Sequence, residues 1–262
     1  MRKHSAYLDL IRALTLTDFK LKYQGSILGY LWTLVKPILM FLVLYLVFTK
    51  FFKIGASVPY YPVYLLLGIV LWMFFIEITS TSIDAIVSKG DLIRKVFFPR
   101  IVLVISRGTA ALITFTLNFL VVLGFMIISS VKFQLLALFM PLLIIELFVL
   151  TTGIALMLSS LFVRYRDLSH IWEVFLQILF YATPIIYPLS FVPPKMAKLL
   201  MLNPIAQIIQ DSRYVLITNQ AHTAWQILPQ EFIWIPYTLP IFIFGFGYFQ
   251  FQRSAAKFAE EI

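Results

Sequence analysis

Long runs of apolar residues, separated by short polar segments, dominate the pattern of this chain. A helix needs about twenty apolar residues to cross the hydrocarbon core of a bilayer, which is about 30 Å thick. Six runs approach or exceed that length, at residues 30–51, 61–81, 106–129, 134–162, 169–188 and 232–251. Because the runs are continuous and do not alternate with polar residues, they predict helices and not the strands of a barrel. The predicted fold class is an all-α integral membrane protein with six transmembrane helices.

Lysine and arginine are distributed unevenly between the two sides of the predicted spans. The N-terminal segment, the second and fourth connections and the C-terminal tail hold most of them, whereas the other connections hold only Lys50, Lys53, Lys132, Lys195, Lys198 and Arg213. Cytoplasmic segments are the ones enriched in basic residues. We therefore predict a multi-pass protein of the cytoplasmic (inner) membrane with both termini in the cytoplasm. The net charge of +9 lies beside the spans, which argues against nucleic acid as a partner.

Residues 1–29 are too polar to cross the membrane, yet they carry an apolar stripe. In "SAYLDLIRALTLTDFKLKY", helical spacing places five apolar residues on one face: Tyr7, Leu10, Ile11, Leu14 and Leu21. The charged residues Asp9, Arg12 and Lys20 lie mostly on the other faces. This pattern predicts an amphipathic helix at the cytoplasmic membrane surface, and a solvated tail is the alternative interpretation.

The predicted cytoplasmic segment 82–105 is basic but also partly apolar. In "STSIDAIVSKGDLIRKVFFPR", Gly90 can end one helix, Asp91 can cap a short second helix, and Pro99 can stop it. A plain basic loop, which is the alternative, has no need of the apolar residues that follow Asp91, namely Leu92, Ile93, Val96, Phe97 and Phe98. The segment therefore predicts a docking surface for a partner protein or for the membrane.

Five prolines interrupt the apolar sequence after residue 181: Pro184, Pro188, Pro193, Pro194 and Pro204. The apolar segments "PPKMAKLLML" and "PIAQIIQDSRYVLI" that follow are too short to cross a membrane, and each begins at proline, which suits a first helical turn. We predict that the fifth helix kinks near Pro184 and ends near Pro188. Residues 189–231 then form an extracytoplasmic gate segment with a re-entrant helical hairpin, or alternatively a surface loop with flat interfacial helices.

Ionisable residues are rare inside the predicted spans, where they are costly and usually face protein. Away from the ends of the predicted spans there are four: Lys36, Glu77, Glu146 and Glu173. Lys36 and Glu77 lie at similar depths in the first two spans, so we predict that they form an ion pair, unless Lys36 extends to the interface alone. The three glutamates are the candidate acids or bases of an alternative function, a membrane-embedded glycosyl- or acyltransferase.

Signatures of catalysis and metal binding are absent from the sequence. There is no cysteine, no HExxH, GxSxG or GxxxxGK[ST] motif, and the three histidines lie far apart, so we assign no catalytic residue, no metal site and no cofactor to this chain. Aromatic residues make up 17% of the chain and are mostly interfacial or packing residues. Near the broken helix, we predict that Phe74, Tyr181 and Tyr187 line a passage, since aromatic faces stack on sugar rings.

Four stretches resemble the membrane-spanning subunits of ABC-2 type exporters, in the branch that moves O-antigen, capsule and teichoic-acid polysaccharides on lipid carriers. They are "DFKLKYQGSILGYLWTLVKPIL", "KGDLIRKVFFPRIVLVISR", "SSLFVRYRDLSHIWEVFLQILFYATPIIYP" and "LNPIAQIIQDSRYVL". The resemblance covers nearly the whole chain. It implies that residues 1–262 form a single transmembrane domain. An ABC-2 exporter of a drug or a lipid is the nearest alternative.

The resemblance implies a homodimer in membrane lipid, two copies of a separate nucleotide-binding ATPase that carries ATP and magnesium, and a lipid-linked polysaccharide as substrate. It implies ATPase-coupling roles for two basic clusters: Asp91, Arg94, Lys95 and Arg100, and then Arg164, Arg166 and Asp167. It implies an outer gate formed by Pro184, Tyr187 and the hairpin from Pro193 through Pro204 to Tyr214. We therefore expect a transporter subunit and not an enzyme.

Overall fold

The computed structural model of the chain describes residues 2–53, 58–96, 98–256 and 258. Within these ranges the regular structure is helical and contains no β-strand. Eleven α-helices can be numbered in chain order: α1 (Arg2–Tyr23), α2 (Trp32–Leu46), α3 (Tyr61–Ile83), α4 (Gly90–Lys95), α5 (Ile101–Ile128), α6 (Met140–Phe162), α7 (Leu168–Ala182), α8 (Pro194–Met201), α9 (Pro204–Leu216), α10 (Ala224–Ile227) and α11 (Ile235–Ala255). This confirms the predicted all-helical class.

Four helical segments in the described residues are long and apolar enough to cross a membrane. They are Gly29–Phe51, which contains α2 and a π-helical last turn, Tyr61–Ile83, Ile101–Ile128 and Leu135–Phe162. They confirm the first four predicted spans, with the third beginning five residues earlier than predicted. The fifth predicted span corresponds to α7, which has 15 residues, and the sixth to α11, which has 21 residues and contains Pro240.

Helix α3 lies at the centre of the bundle. It is apolar on all sides, as its sequence "YPVYLLLGIVLWMFFIEITSTSI" shows, and a helix of this kind is buried on all sides. Its neighbours are α2, α5, α6, α7 and α9. Any movement of one of these helices relative to another must therefore be accommodated along α3.

Helices α6 and α11 approach each other more closely than side chains would allow. A Cβ atom built on Gly153 would lie 2.6 Å from the Cα atom of Phe244, and one built on Gly247 would lie 2.2 Å from the carbonyl oxygen of Gly153. Small residues permit such close backbone packing between membrane helices. This packing holds α11, despite its internal proline, along the length of α6.

The prediction for the end of the fifth helix is wrong. We predicted a kink near Pro184 and an end near Pro188, but α7 ends at Ala182 and Thr183 is extended, with φ −107° and ψ 137°. The ring of a proline clashes with a helical conformation at the residue before it. The helix therefore stops ahead of Pro184 and does not bend through it.

The short cytoplasmic helix also begins differently from the prediction. Gly90 does not end the preceding helix but is the first residue of α4, and Lys89 occupies the cap position. Asp91 lies in the first turn, where its charge suits the helix dipole, but its side chain makes no capping hydrogen bond. Phe97, one of the apolar residues predicted for this segment, lies outside the described residues.

We expect Gly153→Ala to destabilise the protein, because the new methyl group meets the backbone of Phe244 and must push α11 away from α6. Overpacking of this kind costs about 1–3 kcal/mol, which lowers Tm by about 5 °C for a chain of this size. Gly124→Ala in α5 is the matched control, since nothing lies within 4 Å of its Cβ position. Thermal unfolding of the two purified variants tests this, and equal Tm values would contradict the close packing.

Candidate functional site

A cavity of about 670 Å³ lies between α3 and α7, with a contribution from Met40 of α2. Its walls combine aromatic rings with small polar groups. The aromatic lining residues are Trp72, Trp172, Phe180 and Tyr181, and the polar ones are Ser80, Ser169, Glu173 and Gln177. Tyr181, predicted to line a passage, lies on this cavity, and Glu173, predicted as an intramembrane charge, lies there too.

The aromatic rings of the cavity pack together across the two helices, in part through Phe75, which is fully buried and does not line the cavity. Trp72 lies 5.8 Å from Phe180 and 5.2 Å from Phe75, and Phe75 lies 6.3 Å from Trp172, all measured between ring centroids. Such pairs stabilise packing beyond the area that they bury. This packing therefore gives the cavity a rigid aromatic wall. The sequence did not indicate that Trp72 faces α7.

Helix α7 is the least buried of the long apolar helices, since Leu176 is its one fully buried residue. Its exposed residues include Glu173 and Gln177, one helical turn apart. A carboxylate in an otherwise apolar helix is costly against lipid and normally faces protein or water. This side of α7 therefore has the character of an interface or of a water-filled passage.

The break after α7 is held by Arg213 of α9, whose side chain is fully buried, with 0% exposure. Nη1 donates to the carbonyl oxygen of Pro184 and Nη2 to that of Ile185, each at 2.6 Å. Nε donates to the carbonyl oxygen of Tyr64 on α3 at 3.2 Å, and the guanidinium lies 3.5 Å from the centroid of the Tyr64 ring. A helix break away from water frees carbonyl groups that need donors. Arg213 supplies them.

Gly68 makes room for this arrangement. A Cβ atom at residue 68 would lie 2.6 Å from Nη2 of Arg213 and 3.3 Å from the carbonyl oxygen of Ile185. We predicted Arg213 only as a charge of the outer loop and so missed its role. The available signal was an arginine inside the apolar segment "PIAQIIQDSRYVLI", directly after a proline-broken helix.

The opposite face of α9 carries an acidic cluster. Asp211 accepts hydrogen bonds at Oδ2 from Gln207 at 2.9 Å and from the Tyr237 hydroxyl of α11 at 2.7 Å. Gln207 also faces Glu146 of α6. Residues 211 and 213 are separated by about 200° around a helix, so the two charges point to opposite sides. Burial raises the pKa of the Asp211 carboxyl, and these hydrogen bonds partly oppose that effect.

The predicted ion pair between Lys36 and Glu77 is wrong. Glu77 pairs instead with Lys22 of α1, at 2.6 Å from Nζ to Oε1, while Lys36 lines a small cavity near them. Asp18 of α1 pairs with both Lys89 and Arg107, each at 3.3 Å. These three ion pairs fasten α1 to α3, to the segment before α4, and to α5.

The residues predicted to contact an ATPase lie at two exposed places. Asp91, Arg94 and Lys95 are exposed on α4, and the exposed connection between α6 and α7 holds Arg164, Arg166 and Asp167. Arg100 has a partner within the chain, because Nη1 donates to the carbonyl group of Ala255. The structure contains no partner chain, so these coupling roles stay predictions.

The remaining predicted gate residues have different surroundings. Phe74 is buried, with its ring 4.7 Å from that of Phe115, and the Tyr187 hydroxyl donates to the carbonyl oxygen of Tyr181 at 3.1 Å. Pro184 is buried beneath Arg213, and Pro193 is exposed at the start of α8. Pro204 is buried and begins α9, where the half-buried residue Tyr214 also lies.

The geometry favours a conduit over a catalytic centre. Glu77, Glu146 and Glu173 lie in three separate surroundings: the ion pair with α1, the acidic cluster and the aromatic cavity. No group of three or more His, Asp or Glu side chains in the described part of the chain could hold a metal ion. Apolar helices long enough to span a bilayer define the class of a multi-pass membrane protein.

Residues 9–217 match the family described as ABC-2 type transporter, and the chain belongs to that family. It is 27% identical over 262 residues to the O-antigen export system permease protein RfbA of Klebsiella pneumoniae. This alignment covers 99% of this chain and 98% of the relative. It is 32% identical over 216 residues to RfbA of Myxococcus xanthus, 80% of each chain. Polysialic acid transport protein KpsM of Escherichia coli is 23% identical over 208 residues, 78% of this chain and 79% of the relative.

We expect Arg213→Lys to destabilise the protein strongly, although it keeps the charge. A lysine has no planar guanidinium, so it cannot donate to the carbonyl oxygens of both Pro184 and Ile185 and also stack on the Tyr64 ring. Losing a buried charged hydrogen bond costs about 3 kcal/mol, which lowers Tm by about 10 °C. Arg253→Lys on α11 is the control, because Arg253 is exposed over the Phe249 ring. Similar Tm values for both variants in detergent would show that Arg213 does not hold the break.

Proposed function

We propose that this chain is the membrane-spanning subunit of an ATP-driven exporter that moves a lipid-linked polysaccharide, of the O-antigen, capsule or teichoic-acid type, across the cytoplasmic membrane. The similarity to polysaccharide export permeases over 99% of the chain carries this proposal. The cavity between α3 and α7 supports it, since flat aromatic faces and few charges suit a polymer of varied sugars. A rigid wall of this kind binds the C–H faces of sugar rings without demanding one hydrogen-bond pattern.

The fold crosses the membrane six times under this proposal, with both termini in the cytoplasm. Helix α7 spans about 22 Å, and the turns and bends of residues 183–188 that follow it continue the crossing of a core of about 30 Å. Non-helical backbone at membrane depth needs donors for its carbonyl groups, and Arg213 serves Pro184 and Ile185. Helix α11 is about 32 Å long, sufficient for the sixth crossing.

The segment after α7 forms the outer gate. Helices α8 and α9 make a re-entrant hairpin whose second arm is buried and whose first arm is largely exposed. Two copies of the chain meet along α7, so that Glu173 and Gln177 of each copy face the shared passage and not lipid. A homodimer of this kind explains why the aromatic cavity is open on one side.

Energy comes from two copies of a separate ATPase, which bind ATP and magnesium. They dock on the exposed charges of α4 and of the connection between α6 and α7. Closure of the ATPases pushes α4. The push reaches α5 through the ion pairs that Asp18 makes with Lys89 and Arg107, and it reaches α3 through the ion pair of Lys22 with Glu77. The passage between α3 and α7 then widens for the glycan.

Affinity purification of the full chain from its native host tests the transport class. We expect an ATPase with a GxxxxGK[ST] loop to co-purify in equal amount. The double variant Arg94→Glu/Lys95→Glu is expected to lower the amount of co-purified ATPase and the amount of polysaccharide at the cell surface at least about tenfold, while the chain stays in the membrane. The reason is that the reversed charges repel the docking face of the ATPase. Lys50→Glu/Lys132→Glu reverses two exposed lysines elsewhere and is the control. Purification without any ATPase would contradict the proposal.

Single cysteines test the last two crossings, because the chain has none of its own. We expect a membrane-impermeant maleimide added outside intact spheroplasts to label Ser190→Cys and Asn219→Cys. Tyr165→Cys and Gln252→Cys are expected to react only after permeabilisation. All four side chains are exposed, so accessibility within the fold does not differ between the two sets. Labelling of Tyr165→Cys from outside would contradict a fifth crossing at α7.

A further inference from the structure

A second cavity, of about 400 Å³, lies beside the acidic face of α9 and has no part in the proposed passage. Its walls come from the start of α6, from α9, from the α10 region and from the start of α11. The residues that matter for its chemistry are Phe139, Leu142, Tyr214, Asp211, Trp225 and Tyr237. A cavity of this size with one buried charged group and mostly apolar walls is typical of a small-ligand site.

Asp211 is the charged group of this cavity and is only 8% exposed. Oδ2 has its two donors, but Oδ1 is buried without a regular hydrogen bond, and the backbone N–H of Ala224 is near the carboxyl. No lysine, arginine or histidine is among the described residues that line the cavity. Arg213, two residues away, directs its guanidinium to the opposite face of α9. A buried carboxylate without a basic partner needs a proton or an external cation.

The rest of the cavity indicates what kind of cation fits. Trp225 is 53% exposed, packs edge-to-face on Trp234 with centroids 5.2 Å apart, and lies 6.1 Å from Tyr237. Exposed tryptophans of this kind mark the membrane–water interface, and an aromatic face also attracts an ammonium group. Phe139 and Leu142 are exposed beside them at the start of α6. A cation site and an apolar surface therefore meet at one place.

We propose that this cavity binds a phospholipid with a primary ammonium headgroup, of the phosphatidylethanolamine type. The ammonium lies between the Asp211 carboxyl group and the Trp225 ring, and an acyl chain runs along Phe139 and Leu142. Bound lipid then joins α6, α9 and α11 and so stabilises the buried arm of the outer hairpin. The site rests on the proposed position of α9 at the outer membrane surface, but not on the identity of the exported polymer.

The test compares thermal unfolding of the full-length chain in nanodiscs that differ only in headgroup methylation. One set contains phosphatidylethanolamine and phosphatidylglycerol, and the other replaces phosphatidylethanolamine with phosphatidylcholine of the same acyl chains. We expect Tm to be about 5 °C higher with the primary amine, because a ligand that binds only the folded state stabilises it. Asp211→Asn is expected to abolish that difference in Tm. Asp84→Asn, at an exposed residue on the proposed cytoplasmic side, is the control and is expected to leave the difference intact.

Trp225→Ala provides a second variant if Asp211→Asn does not fold, since the exposed Trp225 side chain is not part of the buried core. We expect Trp225→Ala to reduce the difference in Tm between the two lipids at least about twofold. Equal Tm values in the two lipids, or an unchanged difference in both variants, would overturn the proposal. A rise in Tm at low pH that is the same in both lipids would also overturn it, because Asp211 would then bind only a proton. So would a rise in Tm with free ethanolamine equal to the rise with phosphatidylethanolamine. None of these readouts involves export, so failure of the exporter assignment remains distinguishable.

Discussion

The guanidinium of Arg213 is the interaction on which the outer half of this protein depends. Proline stops α7 at Ala182, and the chain continues through turns and bends whose carbonyl groups have no helical donors. One buried arginine supplies donors for two of these carbonyls and for a third on α3. Without this arrangement, a broken helix away from water would carry unsatisfied polar groups at a cost of several kcal/mol. Gly68 is required at its position because the guanidinium occupies the space of a side chain there.

Helix α9 is held on two sides, by α3 and by α11. Arg213 attaches it to α3, and Asp211 attaches its other face to α11 through the Tyr237 hydroxyl. Helix α8 lacks comparable bonds and keeps most of its surface exposed. Helices α8 and α9 thus differ in how strongly the described side-chain bonds hold them to the bundle. Helix α9 is attached to the central helix α3, and α8 is less constrained.

The other half of the bundle is organised by a different interaction, the ion pairs that α1 makes through Asp18 and Lys22. They connect the surface helix with α3, α5 and the segment before α4. Between the two halves lies the aromatic cavity of α3 and α7, in which Glu173 and Gln177 are exposed. The match to the ABC-2 type transporter family identifies this helical bundle as the membrane domain of a transporter.

Local composition alone determined the helical class, the first four spans, the N-terminal helix and the interruption at Pro184, because each depends on a continuous stretch of sequence. The sequence also pointed to Tyr181 beside the cavity and to Glu146 and Glu173 as unusual charges. Tertiary structure decided the partners. Glu77 binds Lys22 and not Lys36, because α1 folds back onto the bundle. Arg213 meets Tyr64 across 149 residues of sequence, and Trp72 faces α7. Such contacts depend on how distant helices pack, which no local pattern records.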